Sequence, residues 1–435
     1  MPCMIEKPPS IEPKPDVIIS LFCNAEYKKY FDRVEKDYLY WDKVKYNAPD
    51  GINPEDFWVA VKMQRLSNAI SFGKYVFSYK INDYMQQYLH EFDMNFGGTL
   101  SSDNIITERT KQYYLLSSIM EEAIASSQME GASTTRKVAK EMLRKQQKPK
   151  DASQQMILNN YRTIRFLSEK KDSPLSKELL LEIHRKISEK TLDNPEDVGN
   201  FRTTNDIVVS NKLTGEVAHY PPDCDEIELI IEQLCDFANN DKTFVHPIIK
   251  AIIIHFMISF LHPFVDGNGR TARSLFYWYM LKKGYWLTEF LSISRIIYST
   301  KSKYEKVFLY TEHDDYNLGY FINYNLVVLN KAYKELKAYL DRKSKEHSAL
   351  FEFKNVTGIN ERQAKILKIA TKKPENIFIC KDLEIELGVS VKTIRADLEG
   401  LVKKDLLKTI PLNKRLTGYI RTDDFEDKLK EFSGN

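Results

Sequence analysis

A histidine, an aspartate, two arginines and two glycines fall within one twelve-residue stretch, HPFVDGNGRTAR, from His262 to Arg273. Glycines let a turn take positive φ and let successive N–H groups converge. A helix starting near Arg270 adds a partial positive charge at the same place. Arg270 and Arg273 are three apart, so both project from one face of that helix's first turn, where guanidinium groups clasp phosphate oxygens with paired donors. Asp266 offers an oxygen ligand beside this cradle for Mg²⁺ held with phosphates. His262 precedes the turn and can take a proton near neutral pH. A base, a metal ligand and an anion cradle point to phosphoryl or nucleotidyl transfer onto a protonatable acceptor. A glycine-rich turn with exposed charges is also a common link between helices, so no one of these residues carries the reading alone. The chain has no GxxxxGK[ST] loop, so an ordinary P-loop nucleotidase is not supported.

The flanking sequence must hold this turn. The apolar run AIIIHFMISFL precedes it and SLFYWYMLKKGYW follows it, as two core helices would. Residues 155–340 read as several helices broken by one β signal: IVVS (Ile207, Val208, Val209, Ser210) and EVAHY (216–220) flank NKLTG, and Pro221–Pro222 end the run. Upstream, a long helical stretch ends at SSQMEG, where Gly131 stops it. Glu130 then faces the negative end of the helix dipole, a penalty of about 0.3–1 kcal/mol that a nearby cation would remove.

HPFVDGNGRTAR resembles the signature of Fic-domain enzymes, HxFx(D/E)GNGRxxR, in full. LEIHRKI, GNFRT (199–203) and the hairpin ending HYPP lie where that family has similar features, so the resemblance covers about residues 105–335. It implies an all-helical core with a β-hairpin flap, and transfer of AMP from ATP, with Mg²⁺, to a hydroxyl of a target protein. Carried over, His262 is the base that deprotonates a target Ser, Thr or Tyr, and Asp266 holds Mg²⁺. Gly267, Asn268 and Gly269 cradle the α- and β-phosphates, with Thr271 and Ala272 completing the nucleotide-facing stretch. Arg270 binds phosphate, Arg273 binds the γ-phosphate, and Phe264 packs the core. The flap, Ile207–Tyr220 with Ile207, Val208, Val209 and Ser210 at its start, holds the target backbone as an added strand; a simple capping hairpin is the alternative. Tyr304 is placed near the adenine.

SSQMEG is similar to the family's inhibitory motif, (S/T)xxxE(G/N), read as Ser126, Glu130 and Gly131. The resemblance implies that Glu130 pairs with Arg273 and blocks the γ-phosphate, within an inhibitory helix of about 105–131. It also leaves open that Glu130 activates water to remove AMP from modified targets.

The expected organisation is a flexible Pro-rich lead (1–16), an aromatic-rich helical region (17–104), the Fic domain (105–340) and a C-terminal module (359–422). The last shows a helix, then helix–Gly turn–helix, then two short strands around a basic loop, the order of a winged helix-turn-helix. It holds 14 Lys/Arg against 8 Asp/Glu. Ser390, Lys392, Thr393 and Arg395 fall on its candidate recognition helix and Lys414 and Arg415 on its wing. Such modules bind DNA, and equally dock proteins or dimerise.

Composition sets the outer bounds. Over 435 residues, 43% hydrophobic and 29% charged, a mainly α, multidomain soluble protein is expected. The net charge of +3 gives no global attraction to nucleic acid or membrane. Five scattered cysteines without a CxxC fit a reducing cytoplasm rather than a disulfide framework or zinc site. The first residues lack a signal-peptide core. Of the whole-chain functions that fit, a self-inhibited protein adenylyltransferase is the expectation. A DNA-binding regulator with a nucleotide-sensing core and a Fic-type transferase using another donor are the alternatives. Self-assembly is compatible with each.

Overall fold

The computed structural model describes residues 5–96, 108–210, 215–354, 358–413 and 416–433. The chain divides into two compact units, residues 1–336 and 337–435.

The first unit is built around two helices joined by the glycine turn. Pro247–Leu261 starts on Pro247, which needs no N–H partner there, and thirteen of its fifteen residues are buried. Such all-round burial explains its unbroken apolar sequence. Asn268–Lys282 packs alongside it and is buried from Arg270 through Leu281. Helices Glu108–Met129, Ala152–Glu169 and Lys177–Ser188 pack against Asn268–Lys282, and Ile293–Ser299 packs against Glu108–Met129. The stretch expected to be inhibitory forms the helix Glu108–Met129, and its expected start at 105–107 lies outside the described residues. Gly131 takes φ +107, which ends the helix, and Glu130 sits one residue beyond it. The flap is shorter than its sequence pattern: Val209–Ser210 pairs antiparallel with Val217–His219, while residues 211–214 lie outside the described set.

The amino-terminal region departs from the expectation in three ways. It shares the first compact unit with the Fic-like core. It contains an antiparallel hairpin, Asn68–Phe72 with Tyr75–Tyr79, where a helical region was expected. Gly73 at φ +58 makes its two-residue turn, and Phe77 packs against Phe256 and Phe260 of the core helix at centroid distances of 5.7 and 5.3 Å. The hairpin also adds backbone bonds, Leu318 N–H to Ser78 O at 2.8 Å and Ser78 N–H to Tyr316 O at 3.2 Å. Long-range partners at 256–318 decide this strand pairing, which is why local pattern did not reveal it. Third, the Pro-rich lead is tied down: Glu6 accepts from Trp41 Nε1 at 3.0 Å and Lys45 Nζ at 2.5 Å, and its carbonyl accepts from Tyr40 Oη at 3.1 Å. A charged hook among prolines thus replaces a free tail.

Helix Gly319–Lys354 carries the chain through most of the charged segment 341–358. The second unit then contains helices Glu361–Lys372, Cys380–Leu387 and Val391–Lys403, strands Leu407–Asn413 and Leu416–Arg421, and helix Phe425–Ser433. Gly388 at φ +68 turns the chain between the second and third helices, and Ser390 caps the third by accepting from Thr393 N–H. Leu367, Phe378, Ile394, Leu398, Leu401 and Leu407 form its core. Lys414 and Arg415 lie outside the described residues.

Candidate active site

The turn is held by side chains from distant segments. Gly267, at φ +86, caps the second helix, and Thr271 N–H closes that helix's first turn on the Gly267 carbonyl at 2.9 Å. Asn268 staples the loop: its Oδ1 accepts from Phe264 N–H at 2.9 Å and its Nδ2 donates to Phe264 O at 2.7 Å. The amide of Asn268 is therefore committed to the turn, and an anion there meets backbone N–H groups. Thr271 and Ala272 bury their side chains in the core.

His184 supports the turn from behind. Gly199 N–H can only donate, so His184 Nδ1 accepts it at 3.1 Å and Nε2 carries the proton to the Asp266 carbonyl at 2.8 Å. Its ring stacks on Phe264 with centroids 3.7 Å apart. Burial lowers its pKa to about 4, so the neutral tautomer is fixed at working pH.

His262 caps the first helix in the left-handed region, φ +47. Its Nδ1 lies 3.2 Å from the Ser259 carbonyl. A carbonyl only accepts, so Nδ1 holds the proton of the neutral ring and Nε2 keeps its lone pair. Burial pushes the His262 pKa down to about 4, opposed by the Ser259 hydrogen bond. Arg202 fixes this corner: Nε donates to His262 O at 2.9 Å, Nη1 to Thr204 O at 2.8 Å, and Nη2 to Pro222 O. One guanidinium thus ties the histidine to both ends of the flap. His219 completes the anchorage, with Nε2 2.7 Å from Phe260 O and Nδ1 2.9 Å from Glu312. Val208 and Ser210 are exposed, and Ile207 and Val209 are half-buried.

The two arginines differ. Arg270 is fully buried; Nη1 donates to Ile187 O and Nη2 to Asp266 Oδ2, each at 3.2 Å, and Nε has no partner among the described residues. Arg273 donates from Nε to Ser126 Oγ at 2.9 Å, and from Nη2 to Ser126 O at 3.0 Å and Glu130 Oε1 at 2.8 Å. The same Glu130 oxygen overlies Gly269 so closely that a Cβ there would collide with it. A carboxylate thus sits over the first turn of the helix, where the dipole and N–H groups favour negative charge. Glu122, one helical face upstream, buries its carboxylate against Ser292 Oγ, Ser294 N–H and Ser294 Oγ, which docks the helix carrying Ser126. Tyr304 is buried, with its ring among His255, Phe308, Phe321 and Tyr324 and its hydroxyl 2.9 Å from His255 Nε2.

These donors fit phosphate: an unpartnered buried guanidinium nitrogen, a second buried arginine and a glycine cradle already overlain by a carboxylate. Asp266 exposes its side chain beside them. Among the described residues no cluster of three acidic, His or Cys ligands is arranged for a metal, so Mg²⁺ at Asp266 would draw its remaining ligands from phosphate oxygens and water. Arg202, His184, His219 and Glu122 were not singled out from sequence; GNFRT and LEIHRKI were the available signals for the first two.

Residues 174–280 match the Fic/DOC family. A protein adenylyltransferase fic-1 of Caenorhabditis briggsae is 33% identical over 130 residues, 28% of this chain and 23% of that protein. A protein adenylyltransferase Fic of Drosophila willistoni is 30% identical over 107 residues, 24% of this chain and 20% of that protein. The chain therefore spans about a fifth to a quarter of the curated relatives it matches. Among solved structures, a Fic family protein from Desulfovibrio desulfuricans G20 aligns with 79% of this chain and 98% of its own, with a TM-score of 0.52 and 18% identity, a likeness of fold. No helix among the described residues is long and apolar enough to cross a membrane.

Proposed function

From the Fic/DOC domain at residues 174–280, we propose that this chain is a self-inhibited protein adenylyltransferase. His262 Nε2 takes the proton of a target Ser, Thr or Tyr hydroxyl. The oxygen forms a bond to the α-phosphorus of ATP, the α–β bridging bond breaks, and pyrophosphate leaves with the electron pair. Arg270, the Gly267–Gly269 backbone and Arg273 hold the phosphates, and Asp266 would hold Mg²⁺, which when bound neutralises phosphate charge. The target lies along the flap as an added strand.

The observation that carries this reading is the Glu130 carboxylate seated over Gly269 and bonded to Arg273. The chain occupies its own anion site with its own anion. Incubation with Mg²⁺ and ATP labelled at the α-phosphate is the test. Label on protein should be strongest in Glu130→Gly and absent in His262→Ala; retained label in the latter would overturn the base assignment. The free cysteines Cys23, Cys224, Cys235 and Cys380 support a reducing cytoplasmic setting.

The second unit we read as a winged helix-turn-helix. Lys392 and Arg395 are exposed on the first turns of helix Val391–Lys403, which favours DNA as its partner. A gel shift that weakens with salt and with Lys392→Ala/Arg395→Ala supports this; an unshifted duplex at low salt refutes it.

A further inference from the structure

The last four carbonyls of a helix have no partner one turn further along it. In Glu108–Met129 two of them are satisfied by the turn that follows. Ser127 O accepts from Glu130 N–H and from Ala132 N–H, each at 3.1 Å, and Gln128 O accepts from Gly131 N–H at 3.2 Å. The other two take cations from distant helices. Ser126 O accepts from Arg273 Nη2 at 3.0 Å, and Met129 O accepts from Lys301 Nζ at 3.3 Å. The turn that carries Glu130 is therefore gripped twice, by an arginine beside the glycine turn and by a lysine whose bond goes to Met129 instead.

Lys301 is locally misplaced. It is the first residue of helix Lys301–His313, where the dipole disfavours a cation. Glu130 is misplaced in the opposite sense, one residue past the negative end of its own helix. Each charge is compensated by the end of another helix. The Glu130 carboxylate lies over the first turn of Asn268–Lys282, and the Lys301 ammonium meets the last carbonyl of Glu108–Met129. Local preference is broken at both residues for one tertiary arrangement, which is where functional sites are expected. Glu305, one turn on from Lys301, is 4.0 Å from its Nζ, with side chains 44% and 52% exposed, so it competes only weakly for the ammonium.

We infer that Lys301 is a positioning residue for the inhibitory carboxylate: it pins the end of helix Glu108–Met129 so that Glu130 reaches over Gly269. The inference rests on the self-inhibition reading and adds to it a control point apart from the phosphate-binding groups. Because the lysine is half-exposed, its charge can be removed without opening the core.

The test compares wild type, Lys301→Met and Lys301→Arg, each with and without Glu130→Gly, as initial rates of protein-bound label from α-labelled ATP with Mg²⁺. Methionine keeps most of the apolar stem and removes the charge. Lys301→Met should raise the rate about 3-fold, the size of one half-exposed charge at a helix end, and Lys301→Arg should raise it less. In the Glu130→Gly chain the same substitutions should add nothing, since no carboxylate is left to position. Hydrogen exchange without nucleotide gives a second readout: amides of residues 127–132 should exchange about 3-fold faster in Lys301→Met, while those of Arg270–Leu281 stay protected. An unchanged rate in Lys301→Met, an equal rise in the Glu130→Gly chain, or unaltered exchange over 127–132 would overturn the inference. A Glu130→Gly chain no faster than wild type would strike self-inhibition itself, before Lys301 is altered.

Discussion

Replacement of Glu130 separates charge from bulk at the glycine turn its carboxylate covers. Arg273 Nη2 and Glu130 Oε1 are 2.8 Å apart; the arginine side chain is 2% exposed and the glutamate 27%. Two unit charges at ~4 Å attract by about 4 kcal/mol at an effective dielectric near 20. Desolvation offsets a large part of that, and Ser126 continues to hold Arg273 in either case. A net cost of about 2 kcal/mol for vacating the site follows, or roughly 30-fold in the productive fraction. Glu130→Gly should therefore raise the initial rate of AMP transfer about 30-fold. Glu130→Gln keeps a side chain over Gly269 but no charge, and should give a smaller rise, on the order of tenfold. Rates are read as protein-bound label from α-labelled ATP under initial-velocity conditions, with ATP saturating for each variant. The reasoning predicts the order Gly, then Gln, then wild type. Gly and wild type within twofold, or Gln faster than Gly, would refute it.

Other consequences can be measured independently. His184→Ala leaves Gly199 N–H and Asp266 O without their buried partner; a loss of about 3 kcal/mol is expected from urea unfolding of the first unit, with phosphate binding weakened alongside. Arg202→Ala removes the bonds to His262 O, Thr204 O and Pro222 O, so transfer to a protein target should fall more than tenfold while ATP affinity changes little; an equal loss of both would argue against an anchoring role. His262 and His184 are both held near pKa 4 by burial, against about 6.5 in the unfolded chain. The unfolded chain binds more protons between those values, so stability rises with pH from about 4 to 6.5 and is lost on acidification through that window. Thermal midpoints across that range should show this, with a smaller slope in His184→Gln. The acid limb of kcat/KM for Glu130→Gly should likewise lie below pH 6, since His262 stays neutral there.

The helical core and the glycine turn were legible because their signals are local. Pro247 opens one helix, Gly267 caps the next, and the runs that follow each match the burial of Ile248–Ile258 and Arg270–Leu281. Gly131 ended the Glu108–Met129 helix for the same reason, a positive φ that glycine adopts cheaply. What escaped was non-local. Arg202 gains its importance from carbonyls at 204, 222 and 262, and His184 from residues 199 and 266, contacts that no spacing rule encodes. The 68–79 hairpin alternates weakly and is stabilised by Phe256, Phe260 and Tyr316, so its strand character belongs to its partners. The motif gave Asn268 as part of a cradle, but not that both polar atoms of its amide would be spent on Phe264.

The central claim is that the bond broken in ATP lies between the α- and β-phosphorus and that the AMP group stays on a protein hydroxyl. The most direct measurement uses Glu130→Gly with ATP labelled separately at the α- and γ-phosphates, counting protein-bound label and released pyrophosphate in one reaction. The account predicts α-label on protein equal to the pyrophosphate released, no γ-label on protein, and neither product in the Glu130→Gly/His262→Ala chain. Protein carrying γ-label, or inorganic phosphate in place of pyrophosphate, would contradict it.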